Sequence, residues 1–157
     1  MARMSIEEDL VDAWEINNRI NLFLLDAIEE PGLSTKPVKG RTPRSQFAHM
    51  HNVRLMWLKS AAPELLEHLD KLDGDKATKA EIAAALVASG AAIATLISTS
   101  CGPDKRVKGF KPHTAAFVTY IVSHESHHRG MTELTLRQTG FPVSDKVSYG
   151  LWEWGTR

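Results

Sequence analysis

Cysteine is nearly missing from this chain: Cys101 is its single representative in 157 residues. One thiol cannot form an internal disulfide, so a disulfide-stapled secreted scaffold is excluded, and such poverty suits a reducing cytoplasm. Cys101 stands before Gly102-Pro103 at the expected end of a helix, with nothing nearby to lower its pKa. It reads as a small apolar residue. An excess of either charge is also lacking, since Lys plus Arg and Asp plus Glu each count 19. Nucleic-acid binders draw affinity from a basic excess, so no nucleic-acid partner is expected. The segment Met1 to Glu8 lacks the apolar core of a signal peptide. The most apolar run, Ile82 to Ile97, falls short of the roughly 20 residues of a membrane span and reads as a buried core helix, with no membrane partner. Alternating strand patterns, internal repeats and low-complexity stretches are not found.

What is present is helical periodicity. Ser5-Ile6-Glu7-Glu8 and Thr78-Lys79-Ala80-Glu81 are capping boxes, in which hydroxyl and carboxylate satisfy orphan backbone donors. The first helix carries Leu10, Trp14, Asn17, Asn21, Leu24 and Ile28 on one stripe and is expected to end at Pro31-Gly32. Asn17 and Asn21 interrupt that stripe, either as satisfied core amides or as residues facing a wet interior. A second helix is predicted from Thr42-Pro43 to about Ser60, followed by a short one over Glu64 to Leu72. A third begins at the Thr78 box, and a fourth runs from about His113 to Thr139 before Gly140 and Pro142. A chain this long buries roughly 70% of its unfolded surface. Residues 1–157 are therefore expected to form one all-α domain, an antiparallel four-helix bundle.

The chemical signal is histidine. His124 and His128 are four residues apart, one turn above each other on a face shared with Phe117, Ile121 and Met131. Two neutral imidazoles on an apolar face can chelate one divalent ion, and a third ligand is then required. The second helix offers His49 and His51, which lie about 200° apart around the axis and cannot both face one centre. Periodicity does not choose between them, because that helix is apolar almost all round. The segment His124-Glu125-Ser126-His127-His128 also fits the His-Glu-x-x-His pattern of zinc peptidases, with Glu125 as general base and Glu153 as a loosely spaced further ligand. That motif carries weight beside a β-sheet, which this chain does not predict.

Phe47-Ala48-His49, Trp57-Leu58, His124-Glu125-x-His127-His128-Arg129-Gly130 and Leu151-Trp152-Glu153-Trp154 together resemble the DinB-like superfamily. These are four-helix bundles of DinB/YfiT type, unrelated to the DNA polymerase that shares the name. The resemblance spans roughly Leu10 to Trp154 and implies a metal site made of His49, His124 and His128. It implies that His51 is a supporting or interface residue and that His127 lies off the metal face, hydrogen-bonded, in line with Tyr120 and Leu134. Three imidazoles leave a coordination position open and suit zinc, nickel or iron. The family includes thiol-dependent S-transferases and mycothiol-dependent maleylpyruvate isomerase. The expectation is accordingly a metal-dependent transferase or hydrolase acting on a small-molecule substrate, with a low-molecular-weight thiol as possible co-substrate. A metal-binding stress-response protein without turnover is the alternative, and an orphan bundle with structural histidines is a third. The resemblance and the small-residue helix faces further imply a homodimer. Arg129 reads as a surface or salt-bridge residue, and Trp152 and Trp154 as packing the tail across the bundle mouth. The loop cations Lys36, Lys39, Arg41, Arg44, Lys105, Arg106, Lys108 and Lys111 read as solvated charge or as an attractor for an anionic substrate.

Overall fold

A computed structural model describes residues 5–157, and among them every regular element is a helix. Four are long: α1 (Ile6–Ala27), α3 (Pro43–Ala61), α4 (Lys79–Thr99) and α5 (Thr114–Gln138). Two are short, α2 (Glu30–Leu33) and α6 (Asp145–Gly150), and 3-10 turns occupy Pro63–Leu66 and Trp154–Thr156. Both capping boxes form: Ser5 Oγ accepts from the Glu8 amide and Thr78 Oγ1 from the Glu81 amide, while each glutamate accepts from the cap's own N–H.

The long helices pack in a ring, α1 on α4, α4 on α3, α3 on α5 and α5 on α1. Their apolar faces form two clusters. One gathers Trp14, Leu58, Ile93, Ile97, Phe117 and Ile121; the other gathers Ile20, Leu24, Phe47, Met50, Ile82 and Leu136. Along α1 and α5 the chain runs from the first cluster to the second, and along α3 and α4 it runs back. Hence α3 and α4 point the same way, and the connection over residues 62–78 must return along the bundle. Between the clusters, each helix contributes buried polar residues: Asn17 and Asn21, His51 and Arg54, Ser89, and Glu125 and Arg129.

By length and composition α4 would suffice to cross a membrane. Its Ile82, Leu86, Ile93 and Ile97 are fully buried against α1 and α3, as in a core helix.

Two boundaries depart from the sequence reading. Pro31 does not simply end the first helix; it sits in the first turn of α2, where a missing N–H costs nothing. The helix expected over Glu64 to Leu72 shrinks to a single 3-10 turn, because Glu67 leaves the helical region (ψ 125°) and His68 after it takes a left-handed conformation (φ 63°).

Candidate metal centre

Helix caps set the register of the histidines. Thr42 Oγ1 accepts from the Ser45 N–H at 3.1 Å, and Pro43 occupies the first turn of α3. This start puts Gln46 and His49 three residues apart on one side of the helix. On α5, His113 is the cap, its Nδ1 accepting from the Ala116 N–H at 3.1 Å. His124 and His128 then stack on adjacent turns facing α3.

The rings of His49, His124 and His128 meet. Ring centroids lie 4.5 Å apart for His124 and His128, 4.6 Å for His49 and His128, and 5.4 Å for His49 and His124. One nitrogen from each lies within 4.8 Å of the others, and His124 Nε2 stands 3.1 Å from His128 Nε2. His128 is buried, while His49 and His124 are half-buried, so the cluster lies in the wall of the bundle between α3 and α5. His51 points elsewhere. It is buried towards α4, with Nδ1 3.0 Å from Ser89 Oγ and Nε2 2.8 Å from the Asp70 carbonyl oxygen.

Electrostatics keep these rings neutral. Burial pushes the pKa of all three below the ordinary histidine value, and neighbouring imidazoles and the Arg41 charge add to it, while for His124 the Glu125 carboxylate opposes the shift without cancelling it. For His128 the result is about 4. Buried Gln46 places Oε1 2.6 Å from His128 Nδ1, an acceptor that selects the tautomer with its proton on Nδ1 and leaves the Nε2 lone pair towards His124. Tyr120 lies against His124 with ring centroids 6.5 Å apart, and Trp57, Phe110 and Phe117 pack edge-on beyond it. Among the described residues, His124 Nδ1 and Trp57 Nε1 are buried without a partner.

Glu125 faces the opposite way. Its carboxylate is fully buried, 2.7 Å from Arg54 Nε and 3.0 Å from Arg54 Nη2, and it accepts from the Asn17 and Asn21 amides at 2.8 and 2.6 Å. Burial opposes its ionisation, but the Arg54 charge and these donors outweigh it and hold the pKa below the usual carboxylate value. A carboxylate so engaged cannot serve as the general base of a zinc-peptidase helix, and Glu153 is tied to Arg157 instead. Asn17 and Asn21 are satisfied core amides. Arg129 is buried too, Nη1 donating to both Asn17 Oδ1 and Asn21 Oδ1 at 2.7 Å, rather than lying on the surface.

Other expectations are corrected. His127 is exposed with no side-chain hydrogen bond among the described residues, its ring 5.2 Å from that of His128. Trp152 and Trp154 line a cavity against another face of α5, away from the histidines. Arg44 is no solvated loop charge: its guanidinium ties Ala77 O, Glu30 and Ser34 together. Cys101, by contrast, stands as expected: burial raises its thiol pKa, in keeping with an inert residue. Sequence reasoning missed Gln46 and Arg54. Gln46 lies one turn before His49, and Arg54 is a charge within an apolar stretch of α3, which is the signal that marks a buried partner.

A family model described as the DinB family matches residues 4–153. No curated protein and no solved structure matches the chain.

Proposed function

Because the chain belongs to the DinB family, we propose that it is a metal-dependent enzyme of small-molecule chemistry, with a divalent ion held by His49, His124 and His128. The observation that carries this reading is the convergence of three neutral imidazoles from two helices, with no fourth histidine, cysteine or carboxylate joining them among the described residues. The donor set fits an ion. Two nitrogens each 2.0–2.1 Å from a tetrahedral ion stand about 3.3 Å apart, against 3.1 Å for His124 and His128 Nε2. Zinc, nickel and iron all accept such ligands. When bound, the ion supplies Lewis acidity at its open position, lowering the pKa of a water or thiol there.

The chain's own residues do the rest. Gln46 fixes the His128 tautomer, and low pKa values leave all three lone pairs available near neutral pH. The Tyr120 ring beside His124 offers an apolar wall for the substrate, and the Arg41 charge favours an anionic one. We assign thiol-dependent S-transfer or hydrolysis as the reaction, in a single domain of DinB/YfiT bundle type that works in the cytoplasm as a homodimer. A monomeric mass by light scattering rejects the dimer.

Metal analysis of untagged protein purified without chelator tests the site. About one ion per chain is expected in the wild type and in His51→Ala, with loss in His49→Ala, His124→Ala and His128→Ala. Wild-type protein without metal, or metal unaffected by these substitutions, sinks the proposal. In cobalt-substituted protein a low-molecular-weight thiol should shift the visible spectrum. No shift and no turnover with electrophilic acceptors leaves a metal-binding protein without catalysis.

A further inference from the structure

A second constellation lies on the α5 face that carries Ser126, Arg129, Gly130 and Glu133. The C-terminal turn brings Trp152 and Trp154 to this stripe, and together they line an open cavity of about 120 Å³. Arg129 is 6% exposed. Its Nη1 is pinned by the two asparagine oxygens, but no carboxylate lies within 4 Å of its guanidinium among the described residues. The nearest buried carboxylate, Glu125, is already taken by Arg54 and both amides. The side-chain hydrogen bonds of Arg129 among the described residues run through Nη1 alone, leaving Nε and Nη2 free, and the side chain lines the cavity. Glu125 and Glu133 favour the Arg129 charge without touching it, and a largely buried cation with no carboxylate in contact gains from an anion placed against it. Here the unpaired edge faces a space.

That space is kept clear. A Cβ built on Gly130 would meet no atom within 4 Å, so the glycine leaves the floor open beside Arg129. The indoles of Trp152 (79% exposed) and half-buried Trp154 offer apolar walls. Glu133, whose Oε1 accepts from Ser148 Oγ at 2.7 Å, puts one negative charge on the rim.

We propose that this cavity binds the carboxylate of a small organic monoacid. The Nε–Nη2 edge of a guanidinium is a planar fork that matches the two oxygens of a carboxylate. The indoles take the apolar remainder, and Glu133 disfavours a second negative charge. The site is separate from the histidines, so it stands or falls independently of the metal.

Tryptophan fluorescence of the full chain reads occupancy, because two of its four tryptophans line the cavity. Butyrate and cyclohexanecarboxylate should each produce a saturable, salt-weakened change, and their amides should not. Arg129→Met should raise the apparent Kd about tenfold or more, the loss expected for charge-assisted hydrogen bonds. Arg129 also serves the interior, so Gly130→Leu is the second arm: it fills the cavity, should abolish the response, and should melt at or above the wild-type temperature. No saturable change with either acid, an equal response to the amides, or unaltered binding in Gly130→Leu overturns the site. Malonate binding as tightly as the monoacids overturns the assignment of ligand class.

Discussion

At the scale of single residues, the most consequential contact is Arg54 with Glu125, both fully buried and joined at 2.7 Å. Breaking one side of such a pair leaves an uncompensated interior charge, so Arg54→Leu should destabilise the protein by about 3–5 kcal/mol in urea unfolding. A loss near zero would show that Glu125 finds other compensation. Gln46 bears on the histidines rather than on the fold. Gln46→Leu keeps the volume but removes the acceptor for His128 Nδ1, and should weaken metal binding about 10–100-fold in a chelator competition. Unchanged affinity would mean that the tautomer is set without Gln46. The sequence made the i,i+4 pair of His124 and His128 legible because helical spacing alone places them together. It left His49 and His51 undecided, because the choice depends on how α3 is rotated against α4 and α5. The interior pairing of Glu125 was hidden for the same reason, since its partners come from α1 and α3. Asn17 and Asn21 were visible as polar gaps in a stripe, without a sign of what they faced.

At the scale of elements, two glycines inside long helices make opposite demands. In α4, a Cβ on Gly90 would collide with the Asn18 amide, whose side chain donates to Leu86 O and accepts from Arg54 Nη2. The Gly90 carbonyl also accepts from Trp14 Nε1 at 2.9 Å. Helix propensity favours Ala over Gly by about 1 kcal/mol, yet forcing α1 and α4 apart costs about 1–3 kcal/mol. Gly90→Ala should therefore lower the melting temperature and Gly130→Ala raise it, since Gly130 has open space. Equal shifts would deny the close approach of α1 and α4. The caps written in the sequence located the starts of α1, α3 and α4 to within a residue, because capping chemistry is local. The segment after Pro63 failed for the converse reason: its leucines at 65, 66 and 69 do pack on the first apolar cluster, but from an irregular backbone.

At the scale of the whole molecule, a chain of zero formal net charge holds a charged interior layer between two apolar clusters. The overall balance of charge gave no hint of this, since composition carries no position. The layer and the adjoining histidines govern the response to acid. His49, His51, His124 and His128 all have pKa values lowered mainly by burial, to about 4 for His128. Between about 6.5 and 4 the unfolded chain therefore binds more protons than the folded one, and stability rises with pH across that window. Their contribution is complete above about 6.5 and is lost as pH falls towards the folded values. Glu125 extends the loss: its lowered pKa means that the unfolded carboxylate protonates first, below about 4.5. Metal-free protein should show a urea midpoint that is level from about pH 8 to 7 and then declines steadily to about pH 4.5. A divalent ion bound to neutral imidazoles should raise the midpoint at neutral pH and steepen the decline, because protons compete for the same lone pairs. A midpoint that stays constant from pH 7 down to 5 in metal-free protein would mean that these imidazoles titrate in the fold as they do in the open chain, and the buried, neutral cluster described between α3 and α5 would be wrong.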